Sequence, residues 1–243
     1  MRKIAWFSAG AASAVAAKLS DADVIAYCDT GAEDADNERF LRECETWFGK
    51  KVKILKSDKY KSTWDVWESR NYIAGIRGAP CTGELKRIPR ELFQVPDDIH
   101  VFGYTADKDD VNRANGFAEH WPSLQVEFPL IEHGLTKRSV LQMVKNAGIE
   151  IPVTYKLGYQ HANCIPCPKS SSPAYWALVR STHPKEFRRM VELSRKLGAR
   201  LAVIRGKRVF IDEIPDDWPT RDPIQPACDF VCQQVEKDLL GYQ

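Results

Sequence analysis

Five short apolar runs recur in the first 150 residues, and stretches with helical spacing lie between and after them. No other feature of the sequence constrains the fold as much. The runs are Lys3–Phe7, Asp23–Cys28, Lys51–Leu55, Ile99–Tyr104 and Val126–Leu130. Helical patterns fall at Ala14–Leu19, Asp36–Phe48, Thr63–Asn71, Asp107–His120 and Thr136–Ala147. In Asp36–Phe48 the residues Phe40, Leu41, Cys44, Trp47 and Phe48 gather on one side. Thr136 suits an N-cap and Gly148 a stop. Cys81–Phe93 is predicted as two helical pieces, because Pro89 breaks a helix interior. Strands alternating with helices predict an α/β fold with a doubly wound, mostly parallel sheet.

After residue 150 the pattern changes. Ile151–Pro168 is rich in Pro, Gly and Cys, and Ser171–Leu197 is helical with a break at His183-Pro184. Leu201–Ile214 reads as a hairpin turning at Gly206-Lys207, and Pro215–Pro226 as irregular. Residues 1–150 are thus expected to form the sheet domain, and 151–243 a Cys-rich helical and hairpin elaboration packed on it. A chain of 243 residues can build a core without staples. Its 28% charged and 44% hydrophobic residues exclude a disordered chain. A net charge of +2 excludes a nucleic-acid binder built on overall charge, though not one built on a local basic face.

No apolar run reaches the ~18–20 residues of a membrane span. Ser8–Gly10 interrupts the first run too early for a signal-peptide core. The expectation is a cytoplasmic protein whose seven cysteines stay reduced.

Ser8-Ala9-Gly10-Ala11-Ala12-Ser13 joins the first strand to the first helix. Ligands of open α/β sheets bind at the carboxyl ends of strands. A small-residue loop there lets backbone N–H groups and the Ser8 and Ser13 hydroxyls meet an anion at a helix N-terminus. It is equally the kind of turn that tight packing alone demands. Asp29-Thr30-Gly31 closes the second strand at the same edge, where a carboxylate suits a ribose, a metal or an Asx-type turn.

Cys164-Ile165-Pro166-Cys167 places two thiols at a spacing that serves one metal centre. Cys228 and Cys232 offer further sulfurs, and Cys81 stands alone. A redox dithiol at Cys164/Cys167 is the alternative, but the strand-to-helix context it needs is missing. Cys28 and Cys44 read as buried small hydrophobes. Four thiolates suit a [4Fe–4S] cluster or zinc equally by ligand count. Lys86, Arg87 and Arg90 are candidate phosphate partners or a solvated helix face. The lysines from Lys50 to Lys61 form either a nucleic-acid face or a protected edge strand.

Ser8-x-Gly10-x-x-Ser13-Ala14-Val15, with Asp29-Thr30-Gly31, resembles the modified phosphate loop and second-strand edge of the phosphoadenosine phosphosulfate (PAPS) reductase family. The resemblance implies an adenine nucleotide α-hydrolase-like topology and an adenine nucleotide (PAPS, APS or ATP) on Ser8, Ala9, Gly10, Ala11, Ser13, Asp29, Thr30, Gly31 and Lys86. N-type ATP pyrophosphatases carry an aspartate at the place of Ala12, which the sulfonucleotide reductases lack. Ile151-Pro152, Tyr155 and Gly158-Tyr159 before Cys164-Ile165-Pro166-Cys167 are similar to the family's cluster-binding segment. Cys81-Thr82-x-x-x-Lys86-x-x-Pro89 is similar to its upstream Cys-Cys-x-x-x-Lys-x-x-Pro, with Thr82 at the second cysteine. The resemblance therefore implies Cys81, Cys164 and Cys167 as ligands of a [4Fe–4S] cluster, with Cys228 or Cys232 as the fourth and zinc as the alternative.

The family's catalytic Glu-Cys-Gly-[Leu/Ile]-His is absent, and Thr105 stands where a nucleotide-binding arginine is expected, with Lys108 or Arg113 as substitutes. Whichever of Cys228 and Cys232 is not a ligand becomes the candidate nucleophile, with a thiol reductant such as thioredoxin as partner. Three functions are implied: sulfonucleotide reduction or related sulfur metabolism, ATP-dependent sulfur transfer onto nucleic acid, or a non-catalytic nucleotide-binding Fe–S or zinc protein.

Overall fold

The computed structural model describes residues 1–75 and 78–225. Cys228 and Cys232 lie outside the described residues. Five strands, β1 (Lys3–Phe7), β2 (Val24–Cys28), β3 (Val52–Leu55), β4 (Ile99–Val101) and β5 (Gln125–Glu127), form one sheet in the order β3-β2-β1-β4-β5. All four pairings are parallel. The expected doubly wound α/β sheet is therefore present. The order runs outward from β1 in both directions, so β1 and β4 flank the switch point where such sheets hold ligands. β3 is an edge strand, with Lys53 and Ile54 exposed, and a lysine there is a common guard of an open edge.

The chain divides into two compact units. The first comprises Met1–Asp29, Ala35–Lys56 and Pro89–Val153, and contains the sheet. The second comprises Thr30–Asp34, Ser57–Ile88 and the described residues from Thr154 onward.

In the sheet unit, α1 (Ala11–Leu19) packs on β1, α7 (Pro129–Glu132) and α8 (Lys137–Asn146). Its alanines favour helix and leave room for close packing. α2 (Asp36–Phe48) buries Phe40, Leu41 and Cys44 and ends at Gly49, whose φ of 70° is the left-handed cap glycine favours. The Thr136 hydroxyl accepts from the Ser139 N–H and caps α8 as expected. α6 (Lys108–His120) follows β4.

The second unit has its own core around Trp64, Trp67, Tyr175, Trp176, Phe187 and Met190. α3 (Thr63–Arg70) starts at Ser62, which caps the Asp65 N–H. α10 (Pro173–Thr182) and α11 (Pro184–Leu197) meet at His183, and β6 (Ala202–Ile204) pairs antiparallel with β7 (Lys207–Val209). The hairpin turns at Arg205-Gly206, one residue earlier than the sequence suggests; both have positive φ, as a tight two-residue turn requires.

The helical break expected at Pro89 does not occur. Helix α4 (Pro80–Thr82) runs into a π-helical turn, Gly83–Arg87, and on into α5 (Ile88–Phe93). The Ile88 N–H bonds back to the Gly83 carbonyl, which widens the ladder just where Pro89 lacks a donor. A short helix, α9 (Val153–Lys156), also forms within the Pro- and Gly-rich stretch.

Candidate functional site

The loop after β1 is shaped by its own polar atoms. The Ser13 hydroxyl donates to the Gly10 carbonyl at 2.9 Å and accepts from the Ser8 N–H at 3.0 Å and the Ser8 hydroxyl at 3.1 Å. Ser13 is thereby the internal brace of the loop. Ala9 takes a left-handed backbone with φ 55°, which costs about 1 kcal/mol in a residue with a Cβ. Gly10, at the N-cap of α1, has no side chain with which to cap it. The start of a helix at the carboxyl edge of such a sheet is where backbone N–H groups meet anions. At the end of β4, Gly103 lies against this loop. A Cβ on Gly103 would sit 2.6 Å from the Ser13 Cα and N, so only glycine lets the two strand ends approach. Asp29, just after β2, donates its backbone N–H to the Leu55 carbonyl of β3 at 2.9 Å and pairs with the Lys56 ammonium at 2.9 Å.

In the second unit, Gly31 has φ 62°, and a Cβ there would overlap the Lys61 carbonyl oxygen. Thr30 accepts the Thr63 N–H at its carbonyl and donates its hydroxyl to Glu33 at 2.5 Å. Its Oγ1 also lies 2.9 Å from the Cys164 sulfur. One hydroxyl proton cannot serve both contacts at once. Thr30 and Gly31 thus sit with the cysteine site.

Cys81, Cys164 and Cys167 line one small cavity. Cys164 and Cys167 are buried and Cys81 partly so. The Cys167 N–H donates to the Tyr175 hydroxyl at 2.5 Å, and burial raises that phenol well above its ordinary pKa. Thr63 and Trp67 share the cavity wall. The Thr63 Oγ1 and Trp67 Nε1 atoms are buried without hydrogen-bond partners. Lys169 is among the lining residues, and the Glu33 carboxylate lies behind Cys164, 4.0 Å from its sulfur. Three thiols and two unpartnered donors around a mostly apolar cavity suit a sulfur-rich group in donor type. Among the described residues, no group of three or more His, Cys, Asp or Glu side chains is drawn into metal-holding range.

Searched by sequence, the chain matches no family model and no curated protein. Its structure matches a crystal structure of phosphoadenylyl-sulfate (PAPS) reductase from Candida auris, in a phosphate complex, with a TM-score of 0.51. The match covers 68% of this chain and 82% of that one at 13% identity. The chain has a PAPS reductase-like fold.

Thr105, at the place of the expected arginine, does not face an open site. It is buried, and its hydroxyl bonds Asp107 at 2.9 Å and Asp110 at 2.7 Å. The cation brought to this segment is Arg113, which pairs with Asp110 at 2.5 Å and lies 4.9 Å over the Tyr104 ring. Lys137 also faces these carboxylates. Burial pulls its ammonium below the usual value, opposed by Asp110 and Asp107. Sequence reasoning missed Lys137 because it is about thirty residues away along the chain. Lys86 lies in the π-helical turn. Cys28 and Cys44 are buried, and burial pushes the Cys44 thiol up to about 12. They play the packing role expected of them.

Sequence reasoning also missed a polar chain in the second unit. His183 Nε2 meets Asp34 at 3.0 Å, while Nδ1 meets Thr182 at 2.8 Å and Tyr159 at 3.2 Å. It ties the Thr30–Asp34 segment to the junction of α10 and α11. No spacing signal could reveal it, since Asp34 and His183 are 149 residues apart. No helix of the described residues is long and apolar enough to cross a membrane.

Proposed function

We propose that the chain is a sulfonucleotide-directed enzyme that binds an adenine nucleotide by its phosphates at Ser8–Ser13 and carries a thiolate-held centre at Cys81, Cys164 and Cys167. The observation that carries this reading is the small-residue loop before α1 at the switch point, braced by the Ser13 hydroxyl, with Gly103 pressed against Ser13. Loops of this kind bind phosphate through backbone N–H groups and a helix N-terminus. The similar PAPS reductase from Candida auris is itself described as a phosphate complex, which supports a phosphate-bearing ligand. Asp29 would meet the ribose once Lys56 moves aside, and Arg113 would neutralise a second phosphate or the sulfate.

The centre would be a [4Fe–4S] cluster, with zinc as the alternative, and Cys228 as the expected fourth ligand. A cluster would supply an electron-accepting, charge-stabilising centre. This chain's residues would hold it dry and surround it with donors. The remaining thiol, Cys232, would then be the candidate nucleophile toward the sulfate sulfur, with a small thiol protein such as thioredoxin as its reductant.

Calorimetry and thermal shift with PAPS, APS and ATP test the nucleotide. A true ligand raises the midpoint as its concentration rises above Kd. Ser13→Asp places a carboxylate in the loop and removes its brace. We expect at least roughly tenfold weaker binding, about 1.4 kcal/mol. Equal affinity in the variant removes the loop from the site.

A second reading, ATP-dependent sulfur transfer onto nucleic acid, is favoured by a set of exposed cations. Lys185, Arg188, Lys196, Arg205, Lys207 and Arg208 lie on α11 and the β6–β7 hairpin, most of them exposed. The acidic neighbours Asp212 and Glu213 are held by Arg195. Cations of this kind suit a phosphate backbone.

A further inference from the structure

The cavity of the three cysteines holds two donors that the fold leaves without acceptors, Thr63 Oγ1 and Trp67 Nε1. Trp67 is 0% and Thr63 1% exposed, so bulk water does not serve them. Buried donors are nearly always satisfied, and an exception asks for the missing partner. The residues lining the cavity include the three cysteines, Thr63 and Trp67, and the Glu33 carboxylate lies behind Cys164, 4.0 Å from its sulfur. The two unpartnered donors ask for an acceptor beside the thiols. Thiolates and sulfides are acceptors of this kind, and a hydrogen bond to them is stronger in a dry cavity than in water.

We propose that Thr63 and Trp67 are hydrogen-bond donors to the sulfur atoms of the group held by Cys81, Cys164 and Cys167, and that they set how readily this group is reduced. The inference rests on the reading of this cavity as a thiolate-held, redox-active centre. Reduction adds negative charge to the sulfurs. Donors directed at them therefore stabilise the reduced form and raise the potential. Trp67 is well placed to act as a fixed donor, because its ring is held edge-on against Trp64 at 5.0 Å and packed in the core of its unit. Thr63 is the first residue of α3, positioned by the Ser62 cap and by its own N–H bond to the Thr30 carbonyl.

The test uses the full-length chain purified anaerobically, with iron, zinc and sulfide measured per chain. Trp67→Phe keeps an aromatic ring and removes the N–H, and Thr63→Val keeps the shape and removes the hydroxyl. Both variants should retain the wild-type iron and sulfide content. Both should show a more negative midpoint potential and shifted Fe–S stretching bands in resonance Raman spectra. Thr63→Ser, which restores a donor, should return both readouts toward wild type. If Trp67→Phe loses iron through misfolding, the Thr63→Val and Thr63→Ser pair carries the comparison. Iron and sulfide in the wild type, with potential and bands unchanged in the variants, overturns the inference and leaves the centre standing. A wild-type chain that holds zinc alone, or no metal, overturns the inference together with the redox centre on which it rests.

Discussion

His100 shows how one buried residue links the sheet to pH. Its Nδ1 accepts the Trp6 indole N–H at 3.0 Å, which requires the neutral ring. Burial, with Arg90 adding to it, pushes its pKa down from 6.5 to about 4. In the unfolded chain the imidazole titrates near its ordinary value. Between these two values the unfolded state binds the extra proton, so stability rises with pH across this window and falls on acidification. The expected loss on going from about pH 7 to pH 4 has an upper bound of about 3 kcal/mol from this residue. Denaturant midpoints measured across that range should slope for the wild type and flatten for His100→Gln, which keeps an acceptor for Trp6 but does not titrate. An equal slope in both would remove His100 as the cause. Ser13 makes a related point: a residue picked out as a phosphate donor proves to brace its own loop.

Elements decide the site through close approach rather than through sequence motif. The loop after β1 and the residue after β4 touch because β1 and β4 pair, with Ala5 beside Val101. Gly103→Ala forces a Cβ into the Ser13 backbone at 2.6 Å. Overpacking of this kind costs about 1–3 kcal/mol. We expect a lower melting temperature and weaker nucleotide binding together. Full stability with full binding would show that the two strand ends are not tightly packed. The π-helical turn at Gly83–Arg87 carries the same lesson in another form. Proline breaks a regular helix, but one widened turn before Pro89 lets the helical path continue.

Across the whole molecule, a net charge of +2 conceals local surplus. The cations of α11 and the hairpin belong to one unit and the nucleotide loop to the other. The triple charge reversal Arg205→Glu, Lys207→Glu, Arg208→Glu tests the second functional reading. If these cations bind nucleic acid, affinity for a labelled oligonucleotide should drop. The salt slope should also shrink, by roughly one for each phosphate the variant no longer neutralises. Binding that is absent in the wild type, or untouched by the reversal, rejects the reading. These side chains are exposed, so folding should be unaffected.

The alternation of apolar runs with helical stretches determined the parallel α/β sheet, because strand and helix periods are local and burial follows them. Local chemistry likewise determined the Thr136 cap, the break at His183-Pro184 and the packing roles of Cys28 and Cys44. Tertiary structure alone decided the rest. It gathered Cys81 with Cys164 and Cys167 around one cavity and placed Thr63 and Trp67 in its wall. It also grouped Ser57–Ile88 with the C-terminal part of the chain. It brought Lys137 to the carboxylates after β4, beside Arg113, which the sequence already offers with Lys108 in place of the missing arginine. The physical reason is range. Propensity and capping act over a few residues, whereas a cavity and its unpaired donors exist only where segments distant in sequence are packed together.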